Sequence, residues 1–457
     1  MVPGKNTKHL LSLVIGVIFS QWIFGPDWMH FMVSSGVTYL LCVLFSRQKF
    51  LPQLVFIWAM GYMVAAHGYR MKVSYMSGEF DFTGTQMVLT MKLTSFAYNL
   101  FDGIADKKKV FAELDPNSKT YRRDKRVYDD RRKFAIESIP NPLEFFGYIF
   151  CFTCLLAGPA FEYNDYVRSI DGSAFTRKVD TKKGDPSSIA PALQRLGVGV
   201  MCLVLHLQLS GNILGLEGFD SYKLSTVYNK EHIAKHDMYY RYVFLWVALL
   251  AERFKYYFAW KVAEGSSVLA GFGFQGYDKD GKVIGWQGVE NIDIVAFETA
   301  SSVQILSKAW NKRTQGWLQR YTYHRYKDDL TITYFVSAIW HGLYPGFFFF
   351  FMSLPLMTNI ERAFQKKINP IVIPGYDGRD DKTYPKTITA YAYRGLCLVG
   401  TTLGMNYVVQ TFPMSSYDNC VAALGSFKFS GHIAFVILYV ILSVTPGPRK
   451  EKSEKKQ

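Results

Sequence analysis

The chain has 457 residues, of which 49 % are hydrophobic, 16 % aromatic and 19 % charged, with only six cysteines. That composition excludes a disordered, collagen-like or disulfide-stapled chain. The 52 Lys and Arg outnumber the 37 Asp and Glu, for a net charge of +15, and because the basic residues flank apolar runs they read as markers of the cytoplasmic side of a membrane protein, with no nucleic-acid partner implied.

Three apolar runs come first, at His9 to Phe24, Met29 to Phe45 and Phe50 to Ala66. Their close spacing predicts an uncleaved signal anchor that opens a polytopic protein. Further candidates are Thr85 to Phe101, Leu143 to Phe161, Leu193 to Leu214, Tyr239 to Trp260, Thr331 to Met352, Ala390 to Phe412 and His432 to Val444. The expected architecture is an all-α polytopic membrane bundle of about ten to eleven spanning or re-entrant helices around an internal chamber, making one domain over residues 1–457. Lys92, Glu252, Lys255 and Glu264 lie in or beside apolar runs, so they are expected to face a protein interior or a watery cavity. For Lys92 and Lys255 the alternative is snorkelling at a helix end.

The connecting segments divide by charge. Lys107 to Lys133, within a loop of residues 104–134, holds eleven Lys and Arg against five acids, which places it in the cytosol with the basic stretch Lys308 to Lys327 and the tail Arg449 to Gln457. Gly271 to Asp293 and Ser415 to Ser430 have little positive excess and are expected on the lumenal side. Cys151 and Cys154 form a CxxC, but IFCFTCLLAG supplies neither a second ligand pair nor a redox context, so no metal is expected.

The chemistry is expected in two stretches. Thr331 to Met352, TITYFVSAIWHGLYPGFFFFFM, is apolar enough to span yet carries His341 near its middle. An imidazole at that depth is costly unless it works or is hydrogen-bonded. Helical spacing puts Ser337 and Tyr344 on its face, where either hydroxyl could fix the tautomer. Pro345 cannot donate to the His341 carbonyl, so the helix should bend there, and Gly342 leaves room for a substrate. A buried structural histidine at a kink is the alternative. The second stretch, Lys308 to Arg325, reads KAWNKRTQGWLQRYTYHR. Trp317, Tyr321 and Arg325 recur at i, i+4 and i+8, an aromatic and basic stripe suited to a headgroup layer. Asn311 can hold an ester or thioester carbonyl, or can simply cap a helix.

These stretches carry a resemblance. WNKRTQGWLQRYTYHR and SAIWHGLYPGFFFFF are similar to the signature of the membrane-bound O-acyltransferase family, in its lysophospholipid acyltransferase branch. MVLTMKLTSFAYNLFDG, LLAGPAFEYNDY, RFKYYFAWKVAEGSSVLAGFGFQG, MNYVVQTFPMSSYDN and GSFKFSGHI follow the same branch in order. The FYxDWWN motif of the sterol and diacylglycerol branch is missing, which counts against neutral-lipid acceptors. The resemblance implies that Asn311 and His341 form the active site of an acyl-CoA-dependent enzyme. Its expected acceptor is a lysophospholipid, lysophosphatidylcholine favoured, and its expected membrane is the endoplasmic reticulum. His341 would activate the acceptor hydroxyl and Asn311 would orient or stabilise the thioester carbonyl. Acyl-CoA is then a substrate and no cofactor is implied. Trp310, Trp340, Tyr344 and Ser337 are candidates for lining the substrate slot. Lys308, Lys312 and Arg313 are candidates for the coenzyme A phosphates, with a membrane-surface role as the alternative. Another hydroxyl acceptor, or a transporter, are the competing readings; a transporter often shows an internal repeat, and none is visible.

Overall fold

The computed structural model describes residues 4–78, 81–176, 186–216, 221–374 and 384–446; the tail Arg449 to Gln457 lies outside them. Among the described residues no strand forms, and one isolated antiparallel bridge joins Tyr277 to Val283. The first four apolar runs become α1 (Lys5–Phe24), α2 (Met29–Phe45), α3 (Leu51–Val73) and α4 (Thr83–Ile104), and the basic loop folds into α5 (Tyr121–Phe134). Next come α6 (Pro142–Ile149), α7 (Tyr163–Ile170), α8 (Ile189–Gly211), α9 (Met238–Leu269) and the short α10 (Val303–Ala309). The chain continues through α11 (Lys312–Leu318), α12 (Leu330–His341), α13 (Pro345–Lys367), α14 (Ile388–Val409), α15 (Tyr417–Ser426) and α16 (Ser430–Val444).

Among the described residues, two helical stretches are long and apolar enough to cross a membrane, Lys5–Phe45 and Ile189–Gly211. The pair α15 and α16, bent by 73°, makes a third if it counts as one span. Fewer stretches meet that test than the sequence leads one to expect, because the other runs either carry polar side chains, as α4 does, or are broken. The run from Leu143 to Phe161 is one that breaks. The Lys92 ammonium donates to the carbonyls of Tyr148 and, at 3.1 Å, Ile149, taking up acceptors that a longer α6 would have used.

The apolar helices are inverted relative to a soluble core. On α1 the buried residues are His9, Ser12, Gly16 and Ser20, while Leu10, Leu11, Val14, Ile15, Ile18 and Trp22 are exposed. Small residues inside and large apolar ones outside suit a lipid surround, where close backbone approach, not burial of apolar area, holds helices together. At Gly16 a Cβ would lie 1.8 Å from the Phe150 carbonyl oxygen, so only glycine permits that approach.

The chain divides into two compact units. The first comprises Met1–Leu207, Arg253–Asp293 and Asn311–Leu343; the second comprises Gln208–Glu252, Ile294–Trp310 and Tyr344–Gln457. In the first, α4 is buried along nearly its whole length, and its polar side chains find partners from other elements. Lys92, 2 % exposed, faces the interior. Asn99 donates to Glu162 at 2.8 Å, and Asp102 accepts from Arg131 at 2.6 Å and from Arg325. Glu264 on α9 is fully buried and meets Lys261 at 2.8 Å. Lys255, by contrast, is exposed, its ammonium 5.6 Å from the Tyr256 ring centre.

In the second unit, α13 is the common support. Its Gly346 N–H donates to the Ser415 carbonyl at 2.8 Å, and its Glu361 accepts from the Gln304 N–H at 3.2 Å. His432 lies between the hydroxyls of Tyr407 (2.9 Å) and Ser353 (3.3 Å), so both of its ring nitrogens have hydroxyl neighbours.

Candidate active site

α4 supplies the platform on which both signature stretches are mounted. Thr314 donates to the Met91 sulfur at 3.3 Å and Trp317 Nε1 to Thr94 Oγ1 at 2.9 Å. Further along, the Tyr321 hydroxyl reaches Asn99 Oδ1 at 2.9 Å, and Arg325 pairs with Asp102 at 3.1 Å. Four rungs in the same chain order fix the register of α11, and of the π-helical turn Gln319–Tyr323 that follows it, against α4. The stripe of Trp317, Tyr321 and Arg325 is therefore real but faces the protein, not a headgroup layer: Trp317 and Tyr321 are each 2 % exposed. The buried carboxylates of Glu162 and Asp102 draw it inward, since the Tyr321 hydroxyl reaches Glu162 at 3.0 Å and Arg325 binds Asp102.

Asn311 stands at the N-cap position of α11, but its side chain makes no capping hydrogen bond. Its backbone is left-handed, φ 42° and ψ 54°, a conformation in which Asn is enriched among non-glycine residues. The orphan N–H groups of the helix are met from elsewhere: the Asn291 carbonyl accepts from Lys312 N–H at 2.7 Å, and Asn291 Oδ1 accepts from Arg313 N–H at 3.3 Å. Asn291 is fixed in turn by Glu264 Oε1, which accepts its N–H at 2.8 Å and that of Ile292 at 3.1 Å. Capping is thus delegated to Asn291, and the Asn311 carboxamide is spared that duty. Asn291 gave no signal in the sequence, because its role depends on a contact with residues more than twenty positions further on, beyond α10.

His341 is the last residue of α12. The helix does not bend through Pro345; it stops, Gly342 takes φ 134° and ψ −172°, and Pro345 opens α13 at its first position. Tyr344, the residue preceding α13, therefore does not share a helical face with His341. Nor does the Ser337 hydroxyl set the tautomer. His341 Nδ1 lies 2.7 Å from the Ser337 backbone carbonyl, which can only accept, so Nδ1 carries the proton and Nε2 is the basic nitrogen of the neutral ring. Trp340 anchors the histidine, donating Nε1–H to the Met87 carbonyl at 3.0 Å and standing edge-on to the imidazole, ring centres 4.6 Å apart. Met87 and Met91 are one turn apart on α4, so the segments carrying His341 and Asn311 dock on adjacent turns.

The remaining candidates lie as follows. Ser337 is 2 % exposed. Lys312 pairs with Glu290, and the Arg313 guanidinium donates to the Gly288 carbonyl, so both tie α11 to the segment from Gly288 to Glu290. Lys308 is exposed on α10, and the Trp310 ring is tilted by 40° against that of Phe297, centres 4.8 Å apart. Among the described residues no three His, Cys, Asp or Glu side chains converge to hold a metal.

The model of the membrane-bound O-acyltransferase family matches residues 69–376, a stretch that includes both signatures. The chain is 30 % identical over 459 residues to the membrane-bound glycerophospholipid O-acyltransferase 2 of Mus musculus, covering 98 % of this chain and 81 % of that one. It is 28 % identical over 465 residues to a lysophospholipid acyltransferase of Schizosaccharomyces pombe, covering 98 % and 83 %. Against a lysophospholipid acyltransferase of Saccharomyces cerevisiae the identity is 29 % over 451 residues, covering 94 % and 68 %.

Proposed function

Because the chain belongs to the membrane-bound O-acyltransferase family, we propose that it moves a fatty acyl group from acyl-CoA to the free glycerol hydroxyl of a lysophospholipid, lysophosphatidylcholine foremost, in the endoplasmic reticulum membrane. The observation that carries this reading is the fixed tautomer of His341. With Nδ1–H committed to the Ser337 carbonyl, Nε2 takes the proton of the acceptor hydroxyl as its oxygen attacks the thioester carbonyl carbon. The new C–O bond leaves an oxyanion, to which the Asn311 carboxamide donates. Collapse breaks the C–S bond, and the imidazolium returns its proton to the departing thiolate, giving free coenzyme A and a diacyl phospholipid. The acceptor class is supported by the relatives' names and by the missing neutral-lipid motif.

The test is thiol release by the purified protein with oleoyl-CoA and a panel of lysophospholipids, with diacylglycerol and a sterol as controls. The expected result is release that depends on a lysophospholipid. Transfer only to diacylglycerol or sterol overturns the acceptor assignment.

A further inference from the structure

A second imidazole stands beside the first. His67, in the last two turns of α3, is 7 % exposed, and its Nε2 is buried with no hydrogen-bond partner among the described residues. Its ring faces the backbone of Trp340, whose carbonyl is one of the four at the end of α12 with no acceptor duty inside the helix. The residue after it, Gly68, lies against Leu343, two residues beyond His341, whose Cδ1 is 3.8 Å from where a Cβ on that glycine would stand. The packing is consistent: Met60 and Met63 of α3 share one apolar cluster with Trp340. The charged groups near it, Arg70 and Asp81, are paired with each other at 2.7 Å. A buried polar atom left without a partner is costly, and this one adjoins the segment that carries the proposed base.

We propose that His67 is a substrate-binding residue of this site, its Nε2 accepting a hydrogen bond from an O–H or N–H group of a bound substrate. A carbonyl only accepts, so the nitrogen facing Trp340 carries the ring proton and Nε2 of the neutral ring presents a lone pair. Two substrate groups have the matching chemistry: a hydroxyl at the polar end of the lysophospholipid, and an amide N–H of the arm that carries the thioester. The inference rests on His341 as the base of the same site.

Two variants separate binding from structure. Asparagine at this position keeps a donor where Nδ1 stands but has nothing at Nε2; glutamine places a carbonyl oxygen near Nε2 but gives up the donor facing Trp340. His67→Asn is expected to melt like the wild type, with KM for one substrate raised about 5- to 10-fold and kcat little changed. His67→Gln is expected to recover KM and to melt lower. A raised KM for lysophospholipid identifies the hydroxyl, and a raised KM for acyl-CoA identifies the amide. His67→Asn with both KM values within twofold of wild type, or a defect that His67→Gln does not relieve, overturns the proposal. His341→Ala assayed alongside keeps the two readings apart: if it is inactive while His67→Asn is normal, only the role of His67 fails.

Discussion

Asn291, twenty residues upstream, caps the helix that Asn311 opens, with its carbonyl on Lys312 N–H at 2.7 Å and its Oδ1 on Arg313 N–H at 3.3 Å. The two asparagines therefore answer differently to substitution. Asn291→Ala is expected to lose about 1 kcal/mol of stability with the cap, and several-fold of turnover as α11 loosens. Asn311→Gly, at a left-handed position, is expected to melt at or above the wild-type temperature yet to lose roughly 10² or more in turnover. Asn311→Asp should also stay folded and be equally slow, since a carboxylate has nothing to donate to an oxyanion. Turnover and melting temperature of the three purified variants decide; a fully active glycine or aspartate variant would end the oxyanion assignment.

His341→Ala is expected to abolish acyl transfer while the protein stays folded and inserted. The measurement is acyl-CoA consumption at saturating lysophospholipid. Activity within threefold of wild type would remove His341 as the base. His432 is a poor substitute, because the Tyr407 and Ser353 hydroxyls flank its ring nitrogens.

Gly342→Ala tests the stop after α12. At φ 134° and ψ −172° the backbone lies in a region essentially reserved for glycine, and a side chain there costs about 1–3 kcal/mol. A lower melting temperature and more than tenfold slower turnover are expected, as the strain is relieved by turning His341 away. Wild-type behaviour in both would mean that the break does not position the imidazole.

Topology gives a fourth expectation. Trypsin added to sealed microsomes should cut within Lys107 to Lys133, whose eleven basic residues outweigh five acids. Protection until detergent is added would invert the orientation of α4 and α5.

Much of the fold was legible because hydrophobic length is a local property. Met29 to Phe45 is reproduced to the residue, and Ser430–Val444 and Ile388–Val409 differ from their runs by about a turn or less. What stayed hidden depends on distant partners: the end of α6 is set in part by Lys92, and the inward turn of Tyr321 and Arg325 by Asn99 and Asp102. Within the site, the depth argument that singled out His341 applies equally to His67. Ending the third run at Ala66 put that histidine one residue outside it, although α3 continues to Val73.

The mounting of both signatures on Met87, Met91 and Thr94 makes α4 a shared datum. Any strain that displaces α4 carries the proposed base and the proposed carbonyl donor along together, so their separation is insulated from the breathing of the surrounding helices. Discrimination between headgroups or chain lengths must then be written in other walls of the site. Loosening a rung, as in Thr94→Val or Trp340→Phe, slows every acceptor by a common factor and leaves their ranking intact.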